Sequence, residues 1–159
     1  MNEFFINFSS LIVFLHIISA VVWIGGMIAI RFAVHYSMQE IDDAKIKLGR
    51  TLELLRRFFN MVIPSIIILL LTAVIMSIGF GFKNTDLAPI VHIKEAIWSV
   101  MTMLFVIIYL KRNKAQKLFN ESDFKSAKDV LVPLAQWMIP VNIFLGLIAL
   151  YLGVTLRGL

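Results

Sequence analysis

Three stretches of this chain run without an Asp, Glu, Lys or Arg for longer than a bilayer requires: 27 residues between Glu3 and Arg31, 25 between Arg57 and Lys83, and 27 between Asp129 and Arg157. Each exceeds the roughly 20 residues that carry an α-helix across a ~30 Å hydrocarbon core. A fourth apolar run is shorter, with 15 uncharged residues between Glu95 and Lys111. A full span there starts near Leu87 and takes His92, Lys94 and Glu95 into the membrane with it. In lipid each segment must satisfy its own backbone polar groups, so the pattern predicts helices rather than open strands. They run over about 8–34, from Phe58 to the glycines Gly79 and Gly81, over about 89–110, and over about 134–156. The fold class is all-α: one polytopic membrane domain over residues 1–159, a four-helix transmembrane bundle.

The segments between the spans carry weaker patterns. Ile41, Ala44, Leu48, Leu52 and Leu55 recur at three- and four-residue steps, which predicts a cytoplasmic helical extension of the first helix with one apolar face. Pro64 and Pro140 each remove a backbone donor inside a span, so a kink is expected at both, the first freeing a carbonyl near Asn60. The connection at 82–89 is short and makes the second and third helices antiparallel neighbours. Asn120 or Ser122 is the expected cap of the helix that follows the second polar segment.

Composition agrees with the pattern. The chain is 60% hydrophobic with a mean hydropathy of +0.88, and 16% of its residues are charged. Its cations are distributed unevenly: the two long polar segments hold twelve of the fifteen Lys and Arg, leaving Lys83, Lys94 and Arg157 for the other side. The positive-inside rule then places both polar segments in the cytoplasm and both termini outside. The net charge of +5 is a topology signal with attraction to anionic membrane lipid, and nucleic acid is not an expected partner. Cys is absent, so thiolate metal sites are excluded. The first run lacks a basic leader and is long, so it is read as a retained span rather than a cleaved signal.

Two rare residue types repeat at one spacing. His16 and His92 lie 76 residues apart, as do Pro64 and Pro140, each proline preceded by an isoleucine (Ile63, Ile139) and, four residues upstream, by an amide (Asn60, Gln136). The chain therefore reads as two copies of one unit, about 8–82 and about 87–156. These are two helical hairpins related by an axis along the membrane normal. That arrangement sets His16 and His92 at equal depth near the outer surface on facing helices, as bis-His ligation of a haem requires. The metal ligands expected are His16 and His92. The cofactor-binding set adds Lys94, as partner of a haem propionate, with Ala20, Trp23 and Ala96 lining the slot. The plainer alternative is that each histidine is hydrogen-bonded to a neighbouring helix and binds nothing. His35 has no histidine mate at the repeat spacing and is read as interfacial. With both axial positions filled by protein nitrogens, the iron moves electrons rather than binding oxygen. No catalytic residue is identified from the sequence.

The residues Leu15-His16-Ile17-Ile18 with Trp23, Gly26 and the run from Arg31 to Tyr36, followed by His92-Ile93-Lys94 opening the third helix, resemble the small membrane haem b proteins of the HemJ type. They resemble more loosely the membrane domain of CopD copper-resistance proteins. The chain departs from the first pattern at Ile30, where a proline is expected, and at His35-Tyr36, where the order is reversed. The HemJ resemblance implies a multi-pass protein of the bacterial inner (cytoplasmic) membrane with haem b as cofactor. Its reaction would be oxidation of protoporphyrinogen IX, or quinone-linked electron transfer, so porphyrinogen or quinone is the implied partner, with homo-oligomer formation a further expectation. The first-helix His and third-helix Lys of that family fall on His16 and Lys94. The CopD resemblance implies copper transport or tolerance instead.

Overall fold

The computed structural model describes residues 3–81 and 85–156, apart from the side chain of Phe4. Among these residues the chain forms four long helices and no strand. The first, α1, covers residues 3–39 and contains two π-helical turns, Val21–Gly25 and Ile30–Val34. Dihedrals at the junctions stay right-handed helical, so it continues through both turns. Then come α2 (Ala44–Phe80), α3 (Ala88–Asn120) and α4 (Phe124–Thr155), the last containing a π turn at Leu134–Met138. All four are long and apolar enough to cross a membrane, and the chain is a membrane protein. Large apolar side chains on their outer faces, among them Phe14, Ile78, Phe144 and Tyr151, are exposed, an arrangement that lipid favours and water does not.

The helices outrun their apolar cores. The 37 residues of α2 and the 33 of α3 make rods of about 55 Å and 50 Å, well beyond the hydrocarbon thickness. Much of the sequence expected to be connection is therefore helix. The apolar stripe Leu48, Leu52 and Leu55 is buried as its spacing predicts, but it belongs to α2 and not to an extension of α1. The break falls at residues 40–43, where the Asp43 carboxylate accepts the Ile46 N–H at 2.9 Å and caps α2. The second cap is likewise an aspartate. Asp123, rather than Asn120 or Ser122, accepts the Ser126 N–H at 3.1 Å and starts α4. The hydroxyl and backbone N–H of Ser126 hold that carboxyl below its ordinary range. At the other end of α2, Gly81 takes φ 66°, the left-handed conformation that closes a helix most cheaply without a Cβ. The helix remains α-helical through Pro64. The irregular turn occurs in α4, between Pro133 and Pro140, where two missing N–H donors leave the hydrogen-bond ladder to rearrange.

α1 packs mainly along α2, and α3 mainly along α4, with further contacts joining α2 to α3 and α1 to α4. An aromatic cluster ties the bundle at its centre. Trp23, 1% exposed, meets Phe105 edge to face with ring centres 6.1 Å apart, and Phe105 meets Phe59 the same way at 5.3 Å. Gly26 makes room for Phe58, whose ring would collide with any Cβ there. Toward the basic end, buried Arg112 on α3 donates through Nε and Nη2 to the Leu52 carbonyl of α2, at 3.3 and 2.9 Å, and through Nη2 to Gln116. A planar guanidinium can make several such bonds at once, which a lysine could not reproduce.

Candidate functional site

The site is built around His16. On α1 the residues three, four, seven and eleven positions on, Ser19, Ala20, Trp23 and Met27, are all buried, so His16 shares the helix face that looks into the bundle. Its imidazole is half-buried, and Nδ1 lies 2.9 Å from Oγ1 of Thr72 on α2. The direction of that bond follows from the threonine. Its hydroxyl reaches the Ile68 carbonyl at 2.7 Å and the Leu69 carbonyl at 3.1 Å, so its one proton is spent within α2 and its oxygen accepts. The imidazole must then carry its proton on Nδ1, leaving the Nε2 lone pair free. Ligand histidines are typically held this way, with the non-ligating nitrogen donating to a fixed acceptor. Thr72 was not distinguishable in the sequence, since a threonine in a membrane helix ordinarily satisfies itself on the preceding turn.

From α3 it is Lys94 that approaches. The lysine is half-buried. Its Nζ lies against α4 at Gly153, where a Cβ would stand 3.0 Å from it. Among the described residues this ammonium has no ion-pair or hydrogen-bond partner. His92 lies elsewhere. Two residues before Lys94 and about 200° away round the helix, its side chain is 62% exposed, and Nδ1 meets Glu95 Oε2 at 3.2 Å. The structure thus turns Lys94 toward the bundle interior and places His92 on the outer face of α3, so the facing pair of histidines expected from equal depth is not the arrangement seen. Ala20 and Trp23 line the bundle side, whereas Ala96, Ser99 and Met103 share the exposed face with His92.

Polar atoms without partners mark the same interior. Among the described residues the indole N–H groups of Trp23 and Trp98, the hydroxyls of Ser77 and Thr102 and the amide oxygen of Asn142 are buried and unpaired. Lys94, Trp98 and Thr102 follow one another at four-residue steps, on one side of α3. Asn142 is fully buried and donates from Nδ2 to the Met101 carbonyl at 3.3 Å. An unpaired buried donor costs on the order of 1–3 kcal/mol, so several together suit a bound acceptor. The donor types suit a haem: a free imidazole nitrogen on α1, an amine on α3, and small residues at Ala20 and Gly153. Neither of two cavities in the bundle is lined by His16 or Lys94. Haem needs two ligands at most from the protein; among the described residues no three His, Asp or Glu side chains gather as a site for a bare metal ion. His35 lies about 28 Å further along α1, where it lines a cavity of about 290 Å³ between the basic ends of α1, α2 and α4. Set against known proteins, the chain matches no family model, no curated protein and no solved structure.

Proposed function

We propose that this membrane protein is a b-type haem protein of redox chemistry, with His16 as axial ligand. The observation that carries the reading is the bond from His16 Nδ1–H to Thr72, which fixes the tautomer and turns a bare nitrogen lone pair away from α2. Haem bound there supplies one-electron oxidation and reduction. Two candidates for the second axial position come from α3. Lys94 is the one whose amine faces the bundle interior, against Gly153, whereas His92 faces outward and would be brought inward only by a rotation of α3 that carries Glu95 with it. If His92 ligates, Lys94 would supply the positive charge that balances a propionate. The unpaired indole N–H of Trp98, one turn inward from Lys94, is placed to donate to a bound acceptor. The HemJ resemblance supplies the reaction: oxidation of protoporphyrinogen IX, or electron transfer to a quinone, in a bacterial inner membrane.

A visible spectrum of the protein purified from membranes tests this directly. The expected result is a Soret band with α and β bands that sharpen on reduction by dithionite. A colourless protein that retains copper through purification would overturn haem in favour of the CopD-like reading.

The architecture proposed with it is two parallel-related hairpins with both termini outside. Its support is the division of Lys and Arg, twelve to three. Asp86→Cys and Lys114→Cys test it with an impermeant maleimide applied from the outer face. Only the first should react. Reaction of Lys114→Cys alone would invert the orientation.

A further inference from the structure

Far from His16, a cavity lies where the apolar bundle meets its basic extensions. A cavity of about 290 Å³ is enclosed by the end of α1, the start of α2 and the start of α4, at the lower edge of the volumes that small ligands occupy. Its floor and its mouth differ. The floor is hydrocarbon, formed by Leu48, Leu55, Leu131, Leu134 and Ile139, all buried. The mouth carries His35, Lys47 and Lys128, with Asp42 the sole acid lining it. Lys47 is partly engaged, donating to the Gln39 carbonyl at 3.3 Å, while His35 and Lys128 have no hydrogen-bond or ion-pair partner among the described residues.

The backbone is shaped to make this space. Two of the π turns border it, Ile30–Val34 through Ile30 and Val34, and Leu134–Met138 through Leu134 and Ala135. A π turn inserts a residue into a helix and re-aims the side chains after it, and such turns concentrate at functional sites. One wall is braced as well, since Lys45 lies over the Phe124 ring at 5.3 Å and Phe124 meets Phe119 at 5.3 Å. A greasy floor under two lysines and an imidazole excludes both a simple anion, which leaves the floor empty, and a neutral hydrocarbon, which leaves the lysines unmatched. Basic pockets between helices at the cytoplasmic surface have this chemistry when they hold anionic lipid.

We propose that this cavity binds the headgroup phosphate of an anionic phospholipid against His35, Lys47 and Lys128, with the first part of an acyl chain on the leucine floor. The site is independent of haem and would bind equally in the His16→Ala protein, so its failure and the failure of the haem reading are separate results. The experiment is thermal unfolding of the full chain in detergent, with phosphatidylglycerol, phosphatidylcholine or inorganic phosphate added at equal concentration. At a hundredfold excess over Kd, phosphatidylglycerol should raise Tm by about 5–10 °C, and the other two additions should not. His35→Gln/Lys128→Gln should lose that increment with Tm unchanged in phosphatidylcholine. Lys114→Gln/Lys125→Gln removes two cations of the same extensions that do not line the cavity, and should keep it. Val132→Trp, which fills the cavity while leaving its cations in place, should also lose it. Equal stabilisation by phosphatidylcholine, full stabilisation by phosphate alone, loss in the control pair, or retention in His35→Gln/Lys128→Gln would each overturn the proposal.

Discussion

His16→Ala is expected to leave the purified protein without a Soret band, and Thr72→Val to weaken haem binding by roughly 10–100-fold with the helices intact. The two effects have different origins. Alanine removes the ligand nitrogen itself. Valine is nearly isosteric with threonine, so packing between α1 and α2 is retained, but the imidazole loses the acceptor that holds its proton on Nδ1. A hydrogen bond of this kind contributes about 0.5–1.5 kcal/mol, and its loss frees the ring to swing and to present the wrong tautomer. Thr72→Ser, which keeps the oxygen on the 2.9 Å contact, should restore most of the affinity. His35→Ala should leave haem content unchanged, because His35 belongs to the cavity at the far end of α1. Haem titration of detergent-purified variants, followed at the Soret maximum, gives these affinities. Equal haem loss in His16→Ala and His35→Ala, or wild-type affinity in Thr72→Val, would remove the basis for assigning the ligand.

The four spans were legible because charge-free runs of 25 and 27 residues leave lipid as their only plausible surroundings. Their basic ends were not, since a helix that outruns its apolar core loses that composition while keeping its hydrogen bonds. The stripe of Leu48, Leu52 and Leu55 announced a buried face there, yet nothing in it says whether the helix belongs to the segment before or after; the Asp43 cap decides that. Repetition led to the expectation of His16 and His92 at one depth, but depth is only one coordinate of a helix. The angle round the axis is the other, and it is set by which residue of Val91, His92, Ile93 and Lys94 the bundle draws inward. With Lys94 turned inward against Gly153, a residue two positions earlier must face out. Asn142 escaped notice for a related reason. An amide among Ile, Val and Phe looks like a packing anomaly until the structure shows it fully buried, donating to Met101 with its own oxygen unmatched.

The variant with the largest consequence for mechanism is Lys94→Leu. If the amine is the second axial ligand, this change converts a six-coordinate low-spin haem into a five-coordinate high-spin one, moving the Soret band and opening the iron to carbon monoxide. Leucine suits the position because it keeps the apolar stem and, unlike methionine, offers no replacement ligand. Lys94→Arg then separates ligation from charge. Coordination needs an unprotonated nitrogen, which arginine does not provide at any pH the protein survives, whereas balancing a propionate needs only a positive charge. Ligation therefore predicts that arginine behaves like leucine, and charge balance predicts that arginine behaves like lysine. The first outcome is expected, because Lys94 turns into the bundle with its Nζ against Gly153 and no acceptor among the described residues to hold it there, while His92 faces outward, its side chain 62% exposed. Low-spin, six-coordinate spectra in both variants would reassign the second ligand to His92, and His92→Ala would then have to remove what Lys94→Leu had spared.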